Sequence, residues 1–460
     1  MPERDLAAVV LAAGKSTRML SARPKVLHEV AGRPLLAWVL DAAREAGCRE
    51  IVVVVGHGAD EVRSAVAAAD VRFAVQEEQR GTGHALAQAA AHVTGSETLL
   101  VLSGDAPLLR SATLSRLAEA AEESWGALAV AELEEPGSLG RVIVAESGHL
   151  ARIVEAADAT AEEIAIRTVN AGIYALPAPE IFTVLARLKT DNAKGELYLT
   201  DALGDAAALG NEVSVVALDD ATEALGANDR RDLGRIHRTF ITRKLEELEI
   251  AGVTVLDPLT TRVEPQVEIG ADTVLHPDVS LMGVSRIGSE CVLHQGAWLR
   301  DSTVADGAVI EPYCVLDGAV VGAGCSVGPF ARLRPGARLE AGSKVGNYVE
   351  VKNATLGPGA KVGHLTYLGD AEIGAGANIG AGVVTCNYDG ERKHRTVVGE
   401  RAFVGSDTML VAPVEIGNDA TTAAGSVINR DVPDGALAIG RSRQRNVEGW
   451  AALRAKRRKQ

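Results

Sequence analysis

Aliphatic residues recur every six positions through most of the second half of this 460-residue chain. Ile269, Leu275, Leu281, Ile287, Leu293 and Leu299 form one unbroken series. Val304, Ile310 and Leu316 follow, then Val321, Val327, Leu333, Leu339, Val345 and Val351. Leu356, Val362 and Leu368 come next, then Ile373 and Ile379, and after one interruption Val398, Val404, Leu410, Ile416, Thr422 and Ile428. Neither the helical period of about 3.6 nor the alternation of a single strand generates such a repeat. A coil of three short strands does, with one aliphatic residue per strand pointing inward and a small residue, often Gly, turning each corner. The repeat therefore predicts a parallel β-helix, a solenoid in which each coil buries its face on the next.

The first half is organised differently. Short apolar runs at Ala8–Leu11, Ile51–Val55, Val71–Val75 and Leu99–Leu102 read as strands buried on both faces. Helical patterns lie between them, one opening at Pro34, a favoured first-turn residue, and closing at Gly47. Such alternation predicts a mainly parallel α/β sheet, which binds ligands at the carboxyl ends of its strands. The loops after Leu11, Val75 and Leu102 are the places to look for chemistry. From Asp229 onward the stripe Leu233, Ile236, Phe240, Leu245 and Leu248 reads as an amphipathic connecting helix, ended by Gly252 and Pro258. The expected division is residues 1–228 for the α/β domain, 229–251 for the connector and 252–460 for the β-helix with a basic tail.

Composition narrows the function classes. A net charge of −14 argues against nucleic-acid binding, and the run Arg454, Lys456, Arg457, Arg458, Lys459 reads as a solvated end. The five cysteines (Cys48, Cys291, Cys314, Cys325, Cys386) are odd in number and show no CxxC spacing, which points to a reducing cytoplasm rather than a disulfide framework. The apolar stretch Leu6–Ala13 follows Glu3 and Asp5 rather than a basic region and is too short to span a bilayer. No targeting segment and no membrane association are expected.

Leu11, Ala12, Ala13, Gly14, Lys15, Ser16, Thr17, Arg18 and Met19 follow the first strand, with Pro24 and Lys25 shortly after. A glycine-containing loop lets backbone N–H groups approach phosphates, and Lys15, Arg18 and Lys25 add positive charge. This segment resembles the signature of the sugar-1-phosphate nucleotidyltransferases, with Ser16 where that pattern usually has its second Gly. The resemblance implies that Leu11, Ala12, Ala13, Gly14, Lys15, Arg18 and Lys25 bind UTP. Gln76 with Gly81-Thr82-Gly83-His84 resembles the family's uracil-recognition segment. Ser103 and Gly104 lead into Asp105, whose carboxylate suits Mg²⁺; Tyr is common in the family at the Ser103 position. Gly140 (beside Arg141), Glu155 and Asn170 resemble contacts to an acetamido sugar, and Asn228 resembles a further sugar-nucleotide and second metal ligand.

The β-helix carries denser matches: Phe330 to Gly336, Gly346 to Lys352, His364 to Asp370 and Asn378 to Gly382. They resemble, almost letter for letter, the bifunctional N-acetylglucosamine-1-phosphate uridylyltransferase/glucosamine-1-phosphate acetyltransferase family. That resemblance implies a Rossmann-like nucleotidyltransferase domain followed by a left-handed β-helix, a homotrimer with active sites between subunits, and acetyl-CoA, UTP and Mg²⁺ as cosubstrates and metal. Attack of an amine on a thioester needs a base and an oxyanion donor, and imidazole titrates near neutrality, so His364 is the expected base. Arg334, Lys352 and Lys393 supply the charge that a sugar phosphate requires. By resemblance Glu350 orients the base, Tyr367 and Asn378 hold the sugar, and Ala381, Asn387, Tyr388, Ser406, Ala424 and Arg441 bind acetyl-CoA. Asn387 also orients the amine, and the Ser406 N–H faces the oxyanion. The interruption between Ile379 and Val398, containing Cys386 to Thr396, reads as a functional loop.

Two other readings fit the hexads alone. One is a single-activity nucleotidyltransferase whose β-helix only regulates or oligomerises, as in ADP-glucose pyrophosphorylases; the other is a β-helical scaffold for partner proteins. Both predict hexads without a coherent polar site, against which Arg334, Lys352, His364, Tyr367 and Lys393 stand.

Overall fold

The computed structural model describes residues 5–15, 17–190, 192 and 195–458. Ser16, Lys459 and the side chain of Lys456 lie outside the described residues. The chain divides into two compact units, 1–240 and 241–460.

In the first unit, the described residues form a nine-stranded sheet. Its strands are β1 (Leu6–Leu11), β2 (Glu50–Val55), β3 (Val71–Val75), β4 (Thr98–Ser103), β5 (Gly126–Glu132), β6 (Arg141–Val144), β7 (Leu150–Val154), β8 (Thr168–Pro177) and β9 (Val213–Ala217). The main order is β9-β5-β8-β4-β1-β2-β3, with the β6–β7 ribbon joined to β8. β1 pairs in parallel with both β2 and β4, whereas β8 runs antiparallel between β4 and β5. Strand order reverses on either side of β1, so the loops after β1 and β4 open onto a shared crevice. Alternate residues of β1 serve opposite faces: Ala7 and Val9 pack with Leu86, Leu99 and Leu203, and Ala8 and Val10 with Leu40, Leu100 and Leu114. That two-sided burial accounts for the continuous apolar runs of β1, β2 and β4. β3 departs from the expectation, because it is an edge strand whose Arg72 and Val75 are turned to solvent. Pro34 is the residue before the helix Leu35–Glu45 rather than inside its first turn, and Gly47 follows the end with φ +92°.

The connector is the helix Arg230–Ile250. Ile236 and Phe240 are buried within the first unit, the Phe240 ring 4.5 Å from that of Trp38. Ile241, Leu245 and Leu248 belong to the core of the second unit.

The second unit is a parallel β-helix. Its described residues form three all-parallel sheets of 11, 10 and 9 strands. The hexads stack in register: Leu275 lies beside Leu293, then Ile310, Val327, Val345, Val362, Ile379, Val404 and Thr422 along one sheet. The interruption proves shorter than it reads in sequence, because Val384–Cys386 is a strand of the second sheet with Thr385 inward. Thr385 escapes a search for aliphatics; its buried hydroxyl accepts from Gly369 N–H at 2.8 Å, which makes a polar residue tolerable there. One edge carries aromatics in left-handed backbone, Tyr313, Phe330 and Tyr348 (φ 58°, 55° and 55°), whose rings stack at 5.5 and 5.3 Å. Leu333 is fully buried in the stack. Leu333→Ala is expected to cost about 2–5 kcal/mol, measured as a lower denaturant midpoint for loss of the β-helix signal.

Candidate functional sites

In the first unit a cleft of about 500 Å³ opens at the carboxyl ends of β1 and β4. Leu11, Ala12, Ala13, Gly14, Lys15, Lys25, Gln76, Gly81, Thr82, Ser103 and Asp105 line it, so most of the expected nucleotide residues converge. Gln79 and Glu196 also line it and were not singled out from the sequence, where neither stands in a recognisable motif. Gly104 donates its N–H to Leu11 O at 3.0 Å, and a Cβ there would press on that carbonyl at 3.1 Å, so the β1 and β4 loops meet backbone to backbone. Gly81 has φ +108° and a Cβ would stand 2.5 Å from Leu197 O, a position only glycine fills without strain. The Gln76 side-chain amide donates to Gly81 O at 3.1 Å and faces His84 Nδ1 at 3.1 Å.

Two side-chain pairs stand at this cleft, one ionic and one a charge-to-amide hydrogen bond. Lys25 Nζ forms an ion pair with the Asp105 carboxylate, both side chains about one-fifth exposed. Arg18 donates to Asn228 Oδ1 at 2.9 Å, and the Ala227 N–H donates to Asp105 O at 2.9 Å, which draws Asn228 to the end of β4. Asp105 and Asn228 therefore offer one carboxylate and one amide oxygen, each facing a cation. This oxygen pair fits Mg²⁺, which uses few protein ligands beside substrate phosphates.

Gly140, Glu155 and Asn170 form a neighbouring cluster rather than part of the cleft lining. Asn170 N–H donates to Gly140 O at 2.9 Å, and Glu155 accepts from Thr200 Oγ1 at 3.1 Å. The Asn170 amide donates to Tyr174 Oη at 2.7 Å, in a setting whose burial pushes the Tyr174 phenol well above its usual range. Arg141 turns inward to the Gly137 and Leu139 carbonyls, a structural role.

In the β-helix two sets of expected residues gather. The first runs up one edge. Leu365 N–H donates to Asn347 O, Gly382 N–H to His364 O, Asp407 N–H to Ala381 O and Gly425 N–H to Ser406 O, at 3.1, 3.1, 2.7 and 2.7 Å. Asn347, His364, Ala381, Ser406 and Ala424 thus occupy the same corner on successive coils, and Arg441 Cδ lies 3.8 Å from where a Gly425 Cβ would stand. His364 is exposed in this column, with its Nδ1 against Asn347 Oδ1 on the coil before it.

The second set lies on the adjoining sheet face. Glu350 pairs in register with Tyr367, and Lys352 with Gly369. Outward residues at alternate positions form two neighbouring rows, while Val351 and Leu368 point into the core. Arg334 N–H donates to Val351 O, which brings Arg334 beside Lys352. Its guanidinium reaches Glu350 at 2.8 Å, so Glu350 is spent on Arg334. Lys393, from the loop, sits against Lys352, and with Arg334 it holds the Lys352 ammonium below the usual lysine range. A Cβ on Gly369 would overlap Tyr367 Oη and Asn387 Nδ2, which shows how closely these groups converge.

Asp370 was not singled out from the sequence, although it closes the matched segment from His364. Burial raises its pKa, but donors from Asn353 (2.6 Å) and Asn387, with Lys393 and Lys352 nearby, outweigh this and keep it ionised below the usual range. A groove of about 390 Å³ runs past Asp370, Asn353, Lys393 and His394. His394 closes the loop on Asp389 at 2.6 Å. Tyr388 is exposed and donates to Gly390 O. Asn378 falls on a different sheet, between Lys361 and Phe403, and within one chain is not on the Tyr367 face.

Comparison with known proteins agrees with both halves. A MobA-like NTP transferase domain matches residues 8–197, and the bacterial transferase hexapeptide family (six repeats) matches residues 395–430. The bifunctional protein GlmU of Stutzerimonas stutzeri is 48% identical over 442 residues, covering 96% of this chain and 98% of that one. GlmU of Trichlorobacter lovleyi is 48% identical over 448 residues, covering 96% and 97%. That of Syntrophotalea carbinolica is 49% identical over 455 residues, covering 98% and 97%. A solved UDP-glucose pyrophosphorylase complexed with UDP-glucose is similar at 20% identity and a TM-score of 0.44, over 52% of this chain and 99% of that one, too distant to carry an argument. With a Rossmann-like domain followed by a left-handed hexapeptide β-helix, this chain belongs to the GlmU family of bifunctional enzymes, which carry both a uridylyltransferase and an acetyltransferase activity.

Proposed function

We propose that the β-helix acetylates glucosamine-1-phosphate from acetyl-CoA at the face around His364, and that the cleft of the first unit then joins the product to UMP from UTP. The observation that carries this reading is the edge column from His364 to Ala424. A basic side chain stands at its foot, the small residues Ala381, Ser406 and Ala424 leave room for an extended thioester along it, and Arg441 supplies a cation at its far end. Beside it Arg334, Lys352 and Lys393 make a phosphate-sized concentration of positive charge.

In the acetyl step the sugar amine forms a bond to the thioester carbonyl carbon, and the carbonyl π pair moves to oxygen, where the Ser406 N–H receives it. His364 Nε2 takes the amine proton. Collapse of the intermediate breaks the C–S bond, and the departing thiolate recovers the proton from the imidazolium. In the uridylyl step a sugar-phosphate oxygen attacks the α-phosphorus of UTP, the bridging bond to the β-phosphate breaks, and pyrophosphate leaves. Lys15, Arg18 and Lys25 neutralise the phosphates, and the displacement requires no covalent nucleophile from the protein. Asp105 and Asn228 would hold Mg²⁺, which supplies further charge neutralisation when bound. Gln76, Gly81 and Thr82 would meet the uracil, and Gly140, Glu155 and Asn170 the acetamido sugar.

A homotrimer, with each acetyl site completed by a neighbouring copy, is part of this proposal; the placement of Asn378 away from Tyr367 within one chain supports it. A cytoplasmic location is proposed as well. Among the described residues no helix is long and apolar enough to cross a membrane. The test is a coupled assay with glucosamine-1-phosphate, acetyl-CoA, UTP and Mg²⁺, with products read by mass spectrometry. UDP-N-acetylglucosamine that forms only when acetyl-CoA is present supports both sites. Failure to acetylate, with uridylyl transfer intact on supplied N-acetylglucosamine-1-phosphate, would reduce the β-helix to a structural role.

A further inference from the structure

Glu350, the carboxylate expected to orient the His364 imidazole, faces Arg334 at 2.8 Å. The group against His364 Nδ1 is instead the Asn347 side-chain oxygen. The two residues occupy the same corner on successive coils, tied by the Leu365 N–H to Asn347 O bond of 3.1 Å. The His364 carbonyl is also held, since it accepts from Gly382 N–H at 3.1 Å and from Thr366 Oγ1 at 2.8 Å. Coil stacking therefore holds both partners in place without a mobile loop.

We infer that Asn347 is the positioning residue for His364 in acetyl transfer, an inference that rests on His364 being the base. An amide oxygen only accepts, so the proton on the neutral imidazole is kept at Nδ1 and the lone pair at Nε2, the nitrogen that takes the proton from the amine. A neutral acceptor fixes this tautomer without adding a negative charge that would raise the proton affinity of the base. Release of the proton to the departing thiolate stays easy for that reason. A carboxylate in the same place would orient the ring equally well and bind the proton more tightly.

The full-length protein supplies its own folding control, because uridylyl transfer on the same chain reports whether a variant is intact. Asn347→Ala is expected to lower kcat for acetyl transfer about 10–100-fold, with KM for glucosamine-1-phosphate within a few-fold and uridylyl transfer unchanged. Asn347→Asp is expected to recover most of that loss and to move the acidic limb of the pH–rate profile to higher pH. Glu350→Gln is expected to leave that limb where it is. An unchanged kcat in Asn347→Ala, an unshifted limb in Asn347→Asp, or a shift produced by Glu350→Gln alone would each overturn the inference. His364→Ala, run alongside, separates the two levels: if it acetylates at the wild-type rate, the base assignment fails, whatever Asn347 does.

Discussion

Lys25→Ala and Asp105→Ala are each expected to reduce uridylyl transfer by at least about 10²–10³-fold while leaving acetyl transfer at the wild-type rate. The size follows from what the reaction asks of this cleft. No protein nucleophile takes part in the proposed displacement, so the rate depends on holding the triphosphate and the attacking phosphate in line and on cancelling their charge. Lys25 and Asp105 are ion-paired with each other in the partly desolvated lining, so removing either leaves the other without its counter-charge. The double variant is accordingly expected to be hardly worse than either single one, a non-additivity that marks groups acting as a unit. Separate rates are measured with N-acetylglucosamine-1-phosphate and UTP for one activity and with glucosamine-1-phosphate and acetyl-CoA for the other. Loss of both activities in either variant would contradict two independent sites.

His364→Ala is expected to cut acetyl transfer by about 10²-fold or more, with uridylyl transfer intact on supplied N-acetylglucosamine-1-phosphate. The residue is exposed at the foot of the Ala381–Ser406–Ala424 column, where the reactive end of an extended thioester would lie beside the cationic face. The neighbouring cations disfavour a protonated amine and so help present it as a nucleophile, but they cannot accept its proton. Tyr367, Lys352 and Lys393 remain in the variant, so acceptor binding is expected to change little and the loss to fall on kcat. In the coupled assay flux then stalls at glucosamine-1-phosphate, and added N-acetylglucosamine-1-phosphate restores UDP-N-acetylglucosamine formation. A wild-type acetylation rate would remove His364 from the role of base.

Both folds were legible in the chain because both depend on simple periods. A solenoid repeats one coil, so its core positions recur at fixed spacing, and Leu275 to Ile428 could be read almost without gaps. Where reading failed, chemistry replaced periodicity: Thr385 holds an inward position through a hydrogen bond. β3 misled for a related reason, since an apolar run is the same in sequence whether its strand is central or at an edge, and only pairing partners distinguish them. In the cleft of the first unit the motif residues announced themselves, whereas Gln79 and Glu196 reach the lining by tertiary placement alone.

Residue types at fixed spacing thus determined the architecture, the cationic and imidazole residues of the β-helix and the glycine-containing basic loop of the first unit. Which polar group meets which was decided only by tertiary structure. Glu350, Asn347 and His364 stand within a few positions of each other on consecutive coils, and sequence distance cannot say which acceptor faces the imidazole. Coil stacking decides it. A turn of about 17 residues sets Asn347 at the same corner as His364 and aligns Glu350 with Tyr367, beside Arg334. Hydrogen bonds act over roughly 3 Å, so that offset of a single corner determines which side chain meets the His364 imidazole.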